Sequence, residues 1–236
     1  MESKKILIVF RGGYTRVSNV EHVCKNINEY IIEPLRLDHY IPDVLFSTYK
    51  EDLPKLDIYK QYLSPIQIVF TNSHIRQITN FKETLHNIKS LYSQYSYIIF
   101  LRFEAIYKIP ISKWNFYNKT GIFFPFKEDS KKLFEEKQWY NDNIIIISNN
   151  YFEQCANILI QAPTHVFTPG EITLHNIPNI LHQTDATIPI HCLVEGFYQS
   201  NSIVYDNYDE HVSPLYILVH YPYLGKDKER FMNYGC

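Results

Sequence analysis

The sequence has few cysteines, and their spacing forms no known metal or redox motif. Its four cysteines, Cys24, Cys155, Cys192 and Cys236, lie far apart, and no CxxC pair is present. This excludes a zinc knuckle and a dithiol redox motif, because both need two cysteines close together in sequence. Since disulfides are rare in reducing compartments, we expect reduced thiols and a cytoplasmic protein.

Long apolar runs are also lacking. No segment approaches the roughly 20 apolar residues that a membrane-spanning helix needs. The apolar part of the amino-terminal MESKKILIVF is too short for a secretory signal. We therefore expect a soluble chain without a membrane span.

Neither sign of charge dominates. The 236 residues include 23 Lys and Arg against 25 Asp and Glu, which gives a net charge of −2. This balance offers no general attraction to nucleic acid, so a site for a nucleotide would have to be local. The composition, 45% hydrophobic and 20% charged, is that of a globular protein, and the length suits one large domain.

Glycine is scarce, with 7 residues, whereas tyrosine is abundant, with 20. Tyrosine can cover the apolar faces of sugars and bases while its hydroxyl hydrogen-bonds, but it also fills ordinary cores. Two of the glycines stand together in RGGYTR, directly after the apolar stretch Lys5–Phe10. That stretch of branched and aromatic residues predicts a first strand.

The loop after this strand combines Gly12 and Gly13 with Arg11 and Arg16. Glycines let the backbone approach a ligand closely, and arginines carry forked donors that suit phosphate. The loop has neither the GK[ST] ending of a P-loop nor the GxGxxG dinucleotide fingerprint. It is either a phosphate-facing loop or an ordinary turn into a helix. Ser18 and Glu21 predict a capping box at the start of that helix.

Strand and helix patterns then alternate through the first hundred residues. The predicted elements are strands at Asp43–Tyr49 (after Pro42), Pro65–Thr71 and Ser96–Leu101, and helices at Asp57–Tyr62 and Ile75–Leu91. This alternation favours a parallel, Rossmann-like half over residues 1–110. The polar exit of the second strand, Ser47 and Thr48, brings hydroxyls to the edge that carries the arginine loop, where they are ligand contacts or caps.

Arg102 and Glu104 follow the most apolar of these strands. Alternate residues of an extended chain point to the same side, so a cation and a carboxylate meet at the carboxyl end of this strand. In open α/β sheets that edge is where ligands bind. The alternative is a structural ion pair that closes the sheet.

Residues 111–236 have shorter and less regular patterns. A strand is predicted at Gly121–Phe126, and Asp142 directly precedes a second apolar stretch, Ile144–Ile147. A carboxylate there is either a general base or ligand-positioning group, or an Asx-type turn residue. A helix is predicted to open at Thr168–Glu171 and to be bent or ended by Pro178, and the histidines show no HExxH-like spacing.

Four stretches taken in order resemble a known family. They are KILIVFRGGYTR, DVLFSTY, YIIFLRFEAIYKIPI and YNDNIIII, within residues 5–150. They are similar to landmarks of small glycosyltransferase-like proteins with the GT-A fold, which bacteria and large DNA viruses use to build surface polysaccharides or capsid glycans. The resemblance implies an α/β single domain over residues 1–236, with a mixed central sheet flanked by helices and an acceptor-side half over residues 111–236.

The resemblance also implies roles for individual residues. Those that face the nucleotide-diphosphate sugar are Arg11, Gly12, Arg16, Thr48 and Arg102. Glu104 matches the Asp of the family's metal-binding motif, which implies Mn²⁺ or Mg²⁺, and Asp142 matches the acidic residue near the sugar or acceptor. Two departures stand out, because Glu104 replaces the usual Asp and Phe100 replaces a first Arg.

The predicted function is therefore metal-assisted transfer of a sugar from a UDP- or GDP-type donor to a glycan or glycoprotein. Asp142 would act as the base or as the acceptor-positioning group, and the metal and arginines would neutralise the leaving diphosphate. Two alternatives stay open: a non-catalytic binding protein on the same fold, and a sulfotransferase-like phosphate-donor enzyme.

Overall fold

The structure is a computed structural model of the chain that describes residues 4–14, 17, 19–50, 53–71, 77–128, 131–162, 174–198 and 213–218. The predicted role of Arg16 and the predicted helix opening at Thr168–Glu171 lie outside these residues, as do Ser18 and the first two residues of the predicted helix Ile75–Leu91.

The strands and helices alternate along the described chain. The strands are β1 (Lys4–Arg11), β2 (Tyr40–Thr48), β3 (Gln67–Phe70), β4 (Tyr97–Arg102), β5 (Ala105–Tyr107), β6 (Ile122–Phe124), β7 (Lys127–Glu128), β8 (Ile145–Ser148), β9 (Ile190–Cys192), β10 (Phe197–Tyr198) and β11 (Tyr216–Leu218). The α-helices are α1 (Val20–Ile27), α2 (Glu33–Leu37), α3 (Leu53–Leu63), α4 (Gln77–Ile88), α5 (Lys131–Lys137), α6 (Asn149–Gln161) and α7 (Ile177–Thr184). A π-helical stretch, Asn28–Ile32, joins α1 to α2.

A seven-stranded sheet forms the centre of the fold, in the order β3-β2-β1-β4-β8-β6-β9. The first four strands in this order are parallel, and β8 runs antiparallel to both β4 and β6. The prediction of a mixed α/β sheet with a parallel amino-terminal part is confirmed. The assignment of nucleotide and acceptor halves that divide at residue 110 stays a prediction.

The central strands are buried on both faces. Along β1, Ile6, Ile8 and Phe10 face one apolar cluster, and Leu7 and Val9 face another. Helices α1 and α3 pack on the first side, and α4 and α6 pack on the second. Complete burial of a large aliphatic side chain contributes about 1.5–3 kcal/mol, so strands with two buried faces hold the site edge rigidly.

Several element ends differ from the sequence predictions. The capping residue of α1 is Asn19 rather than Ser18, since the Asn19 side-chain oxygen accepts a hydrogen bond of 3.1 Å from the backbone N–H of His22. Strand β2 includes Pro42. Because β3 forms hydrogen bonds with β2 only from Leu45 onward, the side of β2 toward β3 is an open edge at Pro42, where a residue without an N–H is tolerated.

Pro178 begins a helix instead of bending or ending one. It lies in the first turn of α7, where the missing N–H of proline removes no intrahelical hydrogen bond. In the described residues, no helix combines the length and the apolar character needed to cross a bilayer.

Candidate active site at the carboxyl ends of β1 and β4

The order of the strands creates a crevice at one edge of the sheet. Strands β2 and β3 follow on one side of β1, whereas β4 lies on its other side, so the direction of winding reverses between β1 and β4. In open α/β sheets, ligands bind outside the carboxyl ends of the strands at such a point. Arg11 and Arg102 are paired in register at these two strand ends.

Arg11 reaches across the sheet edge to Asp142. Its Nη2 donates to the backbone carbonyl oxygen of Asp142 and, at 3.3 Å, to the carboxylate Oδ2. Its guanidinium also lies 5.7 Å from the centroid of the Phe81 ring. Burial lowers the pKa of Arg11, and the neighbouring Arg102 adds to this shift while Asp142 opposes it.

Arg102 is bonded to Glu104. Its Nε donates to Glu104 Oε1 at 3.0 Å, and its Nη2 donates to the same oxygen. The two residues flank Phe103 in the turn from β4 to β5, and the Glu104 carboxylate is buried. Although burial disfavours the charged guanidinium, the charge and hydrogen bonds of Glu104 raise the pKa of Arg102.

The sequence prediction that these two side chains meet is thus confirmed, and in the structure they form an ion pair.

Gly12 adopts a backbone conformation that favours glycine. Its φ is +91°, its N–H donates to the carbonyl oxygen of Ser47 at 3.1 Å, and its carbonyl accepts from Thr48 Oγ1 at 2.7 Å. A Cβ at Gly12 would lie 3.7 Å from Arg102 Nε, so the backbone of this loop passes directly beside the guanidinium. Thr48, the predicted neighbour of the base, is buried and holds this loop.

Asp142 lies between two cationic groups. Arg11 bonds one carboxylate oxygen, and His175 Nε2 lies 3.8 Å from the other. Burial alone would raise the pKa of Asp142, but the charges of His175 and the arginines outweigh it and lower the pKa. The carboxyl group is therefore ionised at neutral pH.

His175 is a site residue that the sequence did not identify. Its Nδ1 lies 2.5 Å from Glu128 Oε2 and 3.1 Å from the backbone carbonyl oxygen of Tyr140. Burial lowers its pKa, but the hydrogen bond to Glu128 and the charge of Asp142 outweigh this and raise the pKa to about 9. No sequence motif indicates a role for this histidine, because its partners come from separate segments of the chain.

A buried polar network fixes the turn that carries Asp142. The Tyr216 hydroxyl donates to Asn141 Oδ1 at 2.6 Å and accepts from Asn143 Nδ2 at 2.7 Å. The backbone N–H of Asn143 also donates to Asn141 Oδ1 at 3.1 Å. Strand β11 thus holds both neighbours of Asp142 in place.

The hydrogen bonds that the Glu104 and Asp142 carboxylates accept determine whether these groups can bind a divalent cation. Mg²⁺ and Mn²⁺ prefer sets of carboxylate and water oxygens. Here Glu104 accepts hydrogen bonds from Arg102, and Asp142 accepts one from Arg11. Over the part of the chain that the structure describes, no three His, Cys, Asp or Glu side chains are grouped as metal ligands. The donor set as arranged does not fit such an ion.

Comparison with known proteins finds likeness in structure and none in sequence. No protein-family model matches the chain, and no curated protein matches it. The fold is similar to that of a candidate nucleotide-diphospho-sugar transferase from Desulfovibrio desulfuricans G20, with a TM-score of 0.51 and 11% identity. That match covers 85% of this chain and 84% of the other.

The fold is also similar to 4-diphosphocytidyl-2C-methyl-D-erythritol synthase from Anaerococcus prevotii DSM 20548, with a TM-score of 0.54 and 11% identity. This match covers 82% of this chain and 89% of the other. At such low identity the likeness concerns the fold. The chain shares the mixed α/β fold of these two proteins, which agrees with the fold class that its sequence predicted.

Proposed function

We propose that the protein is a glycosyltransferase that takes a sugar from a nucleotide-diphosphate donor and transfers it to a glycan or glycoprotein. One observation carries this proposal. Arg11 and Arg102 lie side by side at the ends of β1 and β4, where the direction of winding of the sheet reverses. Forked guanidinium donors suit phosphate oxygens, and a diphosphate offers several of them.

Transfer requires that charge on the leaving group be stabilised. The bond between the anomeric carbon and the diphosphate oxygen breaks, and the nucleoside diphosphate departs with the electron pair. Arg11, Arg102 and, by the family resemblance, Arg16 would stabilise that growing negative charge. Gly12 would let the diphosphate approach the backbone, and Thr48 would hold the loop in the required shape.

The acceptor hydroxyl forms the new bond to the anomeric carbon and loses its proton. Asp142 is the proposed base or acceptor-positioning carboxylate, because its lowered pKa keeps it ionised at neutral pH. Its oxygen on the side of His175 faces a histidine whose side chain is 28% exposed. The acceptor proton passes to the Asp142 carboxylate, since His175, with its pKa raised to about 9, is already protonated at neutral pH.

A transfer assay with purified protein tests the proposal. A panel of UDP-, GDP-, dTDP-, CDP- and ADP-sugars is incubated with the protein, and release of nucleoside diphosphate is measured, with water as acceptor where no glycan is supplied. We expect release from one donor class, and loss of at least about 100-fold in Asp142→Asn, as removal of a general base predicts.

Asp43→Asn is the matched control for this experiment. Asp43 is also paired with a cation, Lys5 at 3.2 Å, but lies at the opposite end of the strands. Its replacement should leave turnover unchanged. Binding of a nucleotide-sugar without turnover would favour the non-catalytic alternative, and release of pyrophosphate from a nucleoside triphosphate would indicate nucleotidyl transfer. Full turnover by Asp142→Asn would refute the role of Asp142.

A further inference from the structure

The two buried arginines at the carboxyl ends of β1 and β4 have more donors than the described residues satisfy. Each guanidinium group carries five N–H donors. Arg11 uses Nη2 for Asp142, and its buried Nε has no hydrogen-bond partner among the described residues. A buried polar atom without a partner is uncommon and calls for an acceptor. A phosphate oxygen is such an acceptor.

The carboxylates beside them are already committed to these arginines. Glu104 receives two hydrogen bonds from Arg102, and Asp142 receives one from Arg11. Both hydrogen bonds from Arg102 fall on the same oxygen, Oε1. A divalent cation bound at Glu104 would therefore share one carboxylate with the Arg102 guanidinium and would lie close to Arg11 as well, which would place several positive charges together in a buried site.

Gly12 opens the approach to Arg102. Because the residue has no side chain, nothing from it stands over Arg102 Nε, where a Cβ would lie 3.7 Å away, or over Cζ, where it would lie 3.9 Å away. The loop backbone and the guanidinium therefore face the same space. This arrangement suits an anion that contacts both.

We propose that the protein binds the diphosphate of its donor without a divalent cation, through Arg11 and Arg102, and that Glu104 is a positioning residue that holds Arg102. The proposal rests on the nucleotide-diphosphate donor of the proposed function. It assigns to the arginine pair the charge neutralisation that the resemblance assigned to a metal on Glu104.

The test measures binding of UDP, GDP, CDP, ADP and dTDP to the full chain by calorimetry and thermal shift, once in EDTA and once in Mn²⁺ or Mg²⁺. We expect one of these nucleotides to bind with dissociation constants that agree within about threefold in the two buffers. Binding that is at least tenfold weaker in EDTA would overturn the inference and leave the proposed function standing. No binding of any nucleotide in either buffer would overturn both.

Variants separate the two roles of Glu104. Arg102→Gln should weaken nucleotide binding at least tenfold in both buffers. Glu104→Gln keeps an oxygen acceptor for Arg102, so its loss should be smaller than that of Arg102→Gln and equal with and without metal. A loss in Glu104→Gln that occurs only in the Mn²⁺ or Mg²⁺ buffer would show a metal ligand and refute the positioning role.

Arg36→Gln is the matched control. Arg36 is also ion-paired, with Glu33, but both side chains are more than half exposed on α2. Its replacement should leave nucleotide binding unchanged. The thermal midpoint of each variant without ligand, measured in the same plates, reports whether a loss of binding reflects loss of folding.

Discussion

Removal of the Glu104 carboxylate should destabilise the protein far more than removal of an exposed carboxylate. In Glu104→Ala, Arg102 loses both hydrogen bonds to Oε1 and remains a buried cation, with its side chain only 11% exposed. It also remains next to Arg11 on the neighbouring strand. The charge that compensated it is gone.

The magnitude follows from the geometry. At a charge separation of about 4 Å and an effective dielectric of about 20, the attraction lost is about 4 kcal/mol. Breaking a buried ion pair from one side typically costs about 3–5 kcal/mol, which agrees with this figure. Glu104→Gln loses the same charge but keeps an oxygen acceptor for Arg102, so it should cost about 1 kcal/mol less than Glu104→Ala.

Urea denaturation at neutral pH, followed by tryptophan fluorescence and circular dichroism, measures these losses. Glu33→Ala serves as the control, because its ion pair with Arg36 is exposed and should change stability by less than about 1 kcal/mol. A double-mutant cycle with Arg102→Ala should show coupling of about 3 kcal/mol, because the second substitution removes the unpaired cation. A cost below about 1 kcal/mol for Glu104→Ala would refute the reasoning.

Three further predictions concern the loop, the polar network and the histidine. Gly12→Ala should cost about 1–3 kcal/mol because its φ is +91°, whereas Gly13→Ala meets only ordinary contacts and should be nearly neutral in the same melts. Tyr216→Phe should lower the free energy of unfolding by about 1–3 kcal/mol, because it leaves two buried asparagines short of a hydrogen-bond partner. Tyr198→Phe, which removes an exposed hydroxyl, should cause no measurable change. The pKa of His175 is raised from 6.5 to about 9 in the folded state, so its stabilisation, up to about 3 kcal/mol, is complete below pH 6.5 and is lost as the pH rises through 9. The gap in unfolding free energy between the wild type and His175→Gln should therefore shrink over that range, and a constant gap would contradict it.

The strands of the central sheet were predictable because their apolar runs are continuous. Ile6–Phe10 of β1 and Tyr97–Leu101 of β4 are buried on both faces, so each forms a continuous apolar or aromatic run that ends at an arginine. The parallel order follows from helices between successive strands. The boundaries were less predictable where tertiary contacts decide them. Pro42 is tolerated in β2 because β3 does not pair with that part of the strand, and Pro178 lies in the first turn of α7 where the sequence predicted the bend or end of a helix.

Contacts between residues that lie far apart in the sequence could not be predicted. The spacing of Arg102 and Glu104 predicted that their side chains meet, and they do, although Glu104 lies in the turn after β4 rather than in the strand. The partner of Arg11, by contrast, lies 131 residues away, and His175 meets its carboxylate partners only in three dimensions. The Tyr216 network likewise joins the carboxyl-terminal strand to a turn that lies far before it in sequence.

The Arg-x-Glu pattern can mark a structural ion pair or a metal-binding carboxylate, and the local sequence does not distinguish between them. If no second cation lay beside Arg102, the Glu104 carboxylate could turn toward a bound metal ion, as the family resemblance implies. The residue that changes this balance is Arg11, which comes from another strand and is paired in register with Arg102. Two adjacent buried guanidinium groups need anionic partners, and Glu104 and Asp142 supply them. The same need explains why an incoming diphosphate, which brings its own negative charge, would be held by the arginines rather than by an ion.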